Sequence, residues 1–156
     1  MIIDSRLEFC DNAALTLDAY GTTPLPLGSL IDLTSNLAIG NALKEYPGNS
    51  DQAYLVIKVT TSVASLGAAT VTFGLVSDAQ DPVVAATATK HWTSAALAKA
   101  TLVAGYEVVC IPLPRGQYER YLGLVQTVGT ADLTAGKVDA YITLTPPSWF
   151  AAPDAL

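Results

Sequence analysis

Apolar and polar residues alternate with a period of two along several segments of this chain, and this pattern restricts the possible folds more than any other feature. In residues 53–63 the residues Leu55, Ile57, Val59 and Thr61 fall on one side of an extended chain. Residues 69–78 and 137–145 repeat the alternation. Because successive side chains of a strand face opposite sides, each segment predicts a strand with one buried face.

Two further segments, residues 106–113 and 120–128, are apolar on both faces. This favours central strands, or strands whose outer face meets a neighbour. Pro112 and Pro114 cannot donate ladder hydrogen bonds, so the first of these strands should end, or run along an edge, near Leu113. Residues 25–33 predict another strand, and residues 7–19 predict one or two more. Residues 94–100 allow one helical turn or none.

The predicted strands number seven or eight, and turns rich in Gly, Pro and Asp separate them. Short strands without intervening helices are typical of an all-β fold, an antiparallel β-sandwich or jelly roll with about eight strands. The length of 156 residues predicts a single domain over residues 1–156. Strand periodicity ends at Pro146, so residues 146–156 are predicted to form an extended C-terminal arm, and the first fifty residues contain further loops.

The composition is 51% hydrophobic and only 14% charged, whereas soluble domains average about 25% charged residues. Either Thr, Ser, Asn and Gln provide most of the polar cover, or part of the exterior is apolar because another subunit covers it. We expect a mixture, weighted towards covered surface. The formal net charge is −6, and the eight basic residues are scattered. Both observations argue against nucleic acid and against an anionic membrane surface as partners.

The first residues include Asp4 and Glu8, which do not fit a signal peptide, and no apolar run approaches the length of a membrane span. We therefore expect synthesis in the cytoplasm. Cys10 and Cys110 are the only cysteines. A reducing compartment favours two free thiols, and a disulfide stays the alternative.

No pattern in the sequence indicates an enzyme, a cofactor or a metal site. His91 is the single histidine, and a cupin-type metal site needs two or three histidine ligands. Motifs for nucleophiles, phosphate loops and paired thiols are absent. Asp51, Asp78, Asp81 and Asp132 all lie in turn sequences, where aspartate binds the local backbone.

Aromatic residues and one arginine give the positive signal. Tyr118, Arg120 and Tyr121 are clustered, and Trp149 and Phe150 lie near the end of the chain. Tyr, Trp, Phe and Arg are enriched at the energetic centres of protein interfaces. These five residues are therefore the predicted protein-interface residues, while a core position with a satisfied hydroxyl stays an alternative for Tyr121.

Residues 120–143, RYLGLVQTVGTADLTAGKVDAYIT, combine an Arg-Tyr-Leu start, an apolar strand, a Gly/Thr loop and an alternating closing strand. Together with IDL at 31–33, AIGNAL at 38–43 and LVAGYEVVCIPLPRG at 102–116, this order resembles the jelly-roll capsid cement (decoration) proteins of short-tailed double-stranded DNA bacteriophages. The resemblance implies a viral structural protein on the outer surface of the virion capsid, assembled in the host cytoplasm. It implies the major capsid protein as partner, and a symmetric homo-oligomer, a dimer rather than a trimer.

Two other classes of function stay open. One is a carbohydrate- or receptor-binding β-sandwich module of a phage fibre or adhesin, for which Tyr46 beside residues 49–51 is the best candidate site. The other is an enzyme on a jelly-roll scaffold.

Overall fold

The computed structural model describes residues 7–15, 21, 23–34 and 53–145, and these residues contain nine β-strands. The strands are β1 (Glu8–Ala14), β2 (Leu25–Asp32), β3 (Tyr54–Ala64), β4 (Thr70–Asp78), β5 (Thr89–Thr93), β6 (Leu97–Ala98), β7 (Glu107–Pro112), β8 (Tyr121–Gly129) and β9 (Ala135–Thr143). No helix is present in this part of the chain, in agreement with the expectation for residues 94–100, which contain β6.

The strands form two antiparallel sheets. Sheet A has the order β1-β9-β3-β7, and sheet B has the order β2-β8-β4-β5, with β6 pairing to β4. From β1 to β4, and again from β7 to β9, each connection crosses from one sheet to the other. Eight main strands in this order have the connectivity of a jelly roll. The predicted fold class is therefore confirmed.

The core lies between the inner faces of the two sheets. Residues 55, 57 and 59 of β3 and residues 71, 73 and 75 of β4 are all buried there, as the alternation predicts. Thr61 does not follow, since it is exposed and Val63 lies in the core instead. The pairing of β3 with β9 shifts its register between Val59 and Thr61, and this irregularity changes which side chains face inward.

The pairing of β4 with β8 at the centre of sheet B is regular over its whole length. Nine consecutive pairs run from Thr70 opposite Gly129 to Asp78 opposite Tyr121 without a register shift. β8 is thus a central strand, one of the two options that its two apolar faces predict.

The edge strands of the described sheets are irregular by contrast. β1, β2, β5 and β7 each show at least one register shift against their neighbour. β7 lies at the edge of sheet A and is not a central strand, the first option that its two apolar faces suggested. Pro112 indicates the edge position correctly. Bulges and prolines leave an edge with few evenly spaced hydrogen-bonding groups for a further strand.

The two cysteines are free, as predicted. Cys10 lies on β1 and Cys110 on β7, with β9 and β3 between these strands. Three strand spacings separate them by roughly 14 Å, which is too far for a disulfide. Cys10 donates its thiol to the carbonyl oxygen of Val138, and burial raises the pKa of the thiol to about 12.

Gln126 is an exception within the core. It is fully buried on the inner face of β8, opposite Phe73 and Leu25 in the register, and its amide nitrogen and oxygen have no hydrogen-bond partner among the described residues. A buried polar group without a partner loses its hydration and gains nothing in return.

We therefore expect Gln126→Leu to raise the free energy of unfolding by about 1–2 kcal/mol, because it removes this desolvation cost at similar volume. Urea denaturation measures the change. Thr127→Val on the outer side of the same strand is the matched control and should have a smaller effect. A loss of stability in Gln126→Leu would show that the amide has a partner, such as a buried water molecule.

A second prediction concerns the contact between β1 and β2. Gly28 has a φ of +74°, and a Cβ there would lie directly against the carbonyl oxygen of Phe9 and 2.8 Å from the Cβ of Cys10. Gly105 also has a positive φ, +87°, but a Cβ added there would meet no atom within 4 Å. Backbone strain at such a φ costs about 1–2 kcal/mol.

Gly28→Ala should therefore cost more than Gly105→Ala by about 2 kcal/mol or more, since only the first adds a steric clash to the strain. Thermal and urea unfolding of the two variants test this difference. Equal losses would mean that β1 and β2 can move apart without cost.

Candidate protein-interaction surface

Residues 113–120 connect β7 in sheet A to β8 in sheet B. They include two of the predicted interface residues, Tyr118 and Arg120, and Tyr121 follows them. The N–H of Leu113 donates to the carbonyl oxygen of Ala53 at 2.8 Å, at the start of β3. At the other end, the N–H of Leu33 donates to the carbonyl oxygen of Arg120 at 2.9 Å. Backbone contacts from both sheets therefore fix where this connection starts and ends.

Tyr118 lies inside the fold. Its side chain is 5% exposed and belongs to the main core, and its hydroxyl donates to the carbonyl oxygen of Pro114 at 2.7 Å. Burial raises the pKa of the phenol to about 12. A core position was the alternative for Tyr121, but it is Tyr118 that lies in the core. Tyr118 is therefore not exposed to a partner in this conformation.

Four polar side chains hold the connection against sheet B. We call them the Ser77 cluster: Ser77, Thr89, His91 and Glu119. The Ser77 Oγ lies 2.7 Å from Nε2 of His91 and accepts a hydrogen bond from the N–H of Glu119 at 3.1 Å. Thr89 donates its hydroxyl to the Glu119 carboxylate at 2.6 Å. The cluster thus joins β4, β5 and the connection.

A serine hydroxyl this close to an imidazole is also the geometry of a nucleophile and its base. Ser77 is fully buried, however, and its oxygen accepts from the Glu119 N–H. On the other side of the imidazole the Tyr118 ring stacks at 4.0 Å between centroids. A substrate cannot reach the hydroxyl in this arrangement, and the geometry favours a structural role for the pair.

Arg120 follows the cluster and points outward. Its guanidinium donates from Nε and Nη2 to the two carboxylate oxygens of Asp32 at 3.3 and 3.0 Å. Asp32 also accepts from the backbone N–H and the hydroxyl of Thr34 at 2.9 and 2.7 Å. Hydrogen bonds from Arg120 first, and then from Thr34, hold the pKa of the Asp32 carboxyl well below its usual range.

Tyr121 begins β8 on the outer side of sheet B, and the guanidinium carbon of Arg120 lies 4.7 Å from the centre of its ring. The ring packs against a second, small apolar cluster formed by Val76, Val83 and Val125. Val83 belongs to the segment between β4 and β5, so this chain covers part of the outer face of sheet B by itself. In this region the apolar second face of β8 packs against the chain's own β4–β5 segment.

Val84, in the same segment, is 48% exposed and is held by a hydrogen bond from its N–H to the Asp78 carboxylate at 3.0 Å. Because Asp78 lies opposite Tyr121 in the β4–β8 pairing, we group Val84 with Asp32, Arg120 and Tyr121 and call these residues the Arg120 patch. Asp32 engages two of the five N–H groups of the guanidinium, and the other three have no acceptor among the described residues. The patch can therefore bind carbonyl or carboxylate oxygens beside an aromatic and an aliphatic surface.

The other predicted interface residues, Trp149 and Phe150, lie outside the described residues, as does the whole predicted arm 146–156. The same holds for Tyr46 and Asp51 of the alternative glycan site. Within the described ranges, no group of three His, Cys, Asp or Glu side chains could hold a metal ion. In that part of the chain there is likewise no helix long and apolar enough to cross a bilayer.

Sequence reasoning missed Asp32 and Ser77. Each meets its partner across a large separation in sequence: 88 residues for Asp32 and Arg120, and 42 for Ser77 and Glu119. The signal available was the position of both residues at the end of a strand.

The fold and this surface define a jelly-roll domain with a prepositioned arginine and aromatic patch at one end of sheet B. The family model named Bbp16 matches residues 9–142, which is most of the chain. The chain therefore belongs to the Bbp16 family. No curated protein matches the sequence.

The different positions of the two tyrosines give a direct test. Tyr118→Ala should lower the free energy of unfolding by about 3–5 kcal/mol, because it leaves a cavity in the core. Tyr118→Phe removes only the hydroxyl and should cost about 0.5–1.5 kcal/mol. Tyr121→Ala should cost clearly less than Tyr118→Ala. Urea denaturation of the three variants decides, and a similar loss in both alanine variants would contradict the assignment of Tyr118 alone to the core.

Proposed function

We propose that this chain is a capsid cement (decoration) protein of a tailed bacteriophage. It binds the outer surface of the icosahedral head and stabilises the contacts between major capsid protein subunits. The observation that carries the proposal is the jelly-roll order of strands. Of the segments that resemble cement proteins, residues 38–43 lie outside the described residues, and the others occupy the end of β2 and the strands β7, β8 and β9 of that order.

The Arg120 patch supports a role in protein binding. Arg120 and Tyr121 are fixed by Asp32 and by the second apolar cluster before any partner arrives. Side chains that are already ordered lose less conformational entropy when they bind. An arginine stacked on a tyrosine also belongs to the residue types that dominate binding energy at interfaces.

A second contact point lies at the other end of β8. Leu66, in the turn between β3 and β4, is 98% exposed. The hydroxyl of the preceding Ser65 donates to the carbonyl oxygen of Asp132 at 2.5 Å and accepts from the N–H of Gly67 at 3.1 Å, so the turn is held against the β8–β9 connection. Burying a leucine side chain contributes about 1.5–3 kcal/mol.

The Arg120 patch and Leu66 are therefore separated by about the length of β8, roughly 27 Å for nine residues. A protein that clamps two neighbouring shell subunits needs two separate contact points, and these two lie at opposite ends of β8. In the proposed assembly the chain acts as a symmetric homo-oligomer, a dimer rather than a trimer, whose copies present the same contacts to the shell.

The test uses purified protein and preformed shells that lack it. We expect the wild-type chain to co-sediment with the shells at micromolar concentration and to raise the temperature at which they disassemble. Failure of the wild-type protein to bind authentic shells would refute the proposal.

Variants then test the two contact points separately. Arg120→Ala and Leu66→Ser should each weaken shell binding by about tenfold or more, because each removes a prepositioned anchor. Arg115→Ala changes an exposed arginine in the same connection and should leave binding unchanged. Melting curves of the isolated variants establish that the losses do not come from unfolding.

A further inference from the structure

One buried hydroxyl, that of Ser77, links residues 113–120 to β4 and β5. Ser77 Oγ has two hydrogen-bond partners among the described residues, the N–H of Glu119 at 3.1 Å and Nε2 of His91 at 2.7 Å. β4 provides Ser77 and β5 provides His91, while Glu119 belongs to the connection. The directions of these two bonds are therefore linked through a single oxygen.

Only one distribution of protons satisfies all three groups. The Glu119 N–H donates to Ser77 Oγ, so the hydroxyl proton of Ser77 is free to be donated to Nε2 of a neutral His91. The imidazole proton then lies on Nδ1. If Nε2 carried a proton instead, it would have to donate to Ser77, and the serine proton would have no acceptor in a fully buried site.

The other groups around His91 shift its pKa in opposite directions. The connection contributes the Glu119 carboxylate, which favours the charged imidazolium, and the Tyr118 ring, whose face attracts a cation. β4 contributes the uncharged Ser77, and Gly116 lies near Nδ1. Burial of the imidazole outweighs the carboxylate, and the pKa of His91 is lowered from its ordinary value of 6.5.

We propose that the Ser77 cluster is a pH-sensitive latch, in which neutral His91 holds residues 113–120 on sheet B and protonated His91 releases them. Protonation reverses the hydrogen bond to Ser77 and leaves a buried proton without an acceptor. The Ser77 oxygen then accepts from both the Glu119 N–H and the imidazolium, and the buried hydroxyl proton finds no acceptor among the described residues. The inference goes beyond the proposed function, because it concerns the isolated chain and does not depend on any shell.

The direction of the effect follows from linkage. In the released state His91 is hydrated and has an ordinary pKa, whereas in the closed state its pKa is lowered. The closed state is therefore fully stable above about pH 6.5 and loses stability as the pH falls below that value. Arg120, the last residue of the connection, and Tyr121 are held separately by Asp32 and by the second apolar cluster, so the effect of protonation is expected at Glu119 and not in the Arg120 patch.

The experiment measures His91 and Glu119 together by NMR on the wild-type protein. His91 is the only histidine, so its ring signals need no further assignment. As His91 takes up a proton, the exchange protection factor of the Glu119 amide should fall by up to about tenfold for each pH unit below 6.5. Ser94 directly follows β5, the strand that contains His91. Its amide donates to the carbonyl oxygen of Phe73 and should keep its protection.

His91→Gln provides the matched variant, because its amide oxygen can accept the Ser77 hydroxyl but does not titrate. Glu119 protection in this variant should be independent of pH between about 5 and 7.5. The proposal is overturned if His91 titrates in the wild type while Glu119 protection stays constant, or if His91 titrates above 6.5. These wild-type measurements decide the matter even if the variant fails to fold.

Discussion

The regular pairing of β4 with β8 is the constraint on which the rest of this structure depends. Nine successive residue pairs fix the register, and a shift by one residue would turn Phe73 and Leu75 from the core to the outer face. The same pairing places Asp78 opposite Tyr121, where the connection from sheet A enters sheet B. Both the core and the Arg120 patch therefore follow from one ladder of backbone hydrogen bonds.

Polar side chains on these strands add contacts to the connection between the sheets. Ser77 is the next inward position after Leu75 on β4, and its hydroxyl points to the space where residues 113–120 cross between the sheets. The sandwich thus uses a buried serine to hold an element that forms no strand of its own. Arg120 and Tyr121, where this element joins β8, are held by Asp32 and by the second apolar cluster.

Much of the fold could be predicted from the sequence, because alternation of apolar residues reports directly on which face of a strand is buried. The inner faces of β3 and β4 illustrate this. The prediction failed where a local irregularity changed the alternation, as at Thr61. Apolar residues on both faces did not distinguish a central strand from an edge strand. β7 is an edge strand, and the outer face of β8 is covered by the chain's own β4–β5 segment. Neither arrangement is visible in a pattern of single strands.

The candidate site was predictable only in part. Arg120 is exposed and Tyr121 is half-buried on the outer side of sheet B, whereas Tyr118 is in the core, and residue type alone does not distinguish these positions. Asp32 and Ser77 could not be found, since their partners are set by tertiary contacts.

The irregular outer strands have a further consequence for how copies of this chain meet. Sheets with flat, regular margins extend by adding strands from other molecules, and such growth has no natural end. Here the bulges of β1, β2, β5 and β7 interrupt that route at each margin of the described sheets. A further strand therefore finds few evenly spaced backbone partners at these margins, and this route offers copies of the chain little means of joining into an extended sheet.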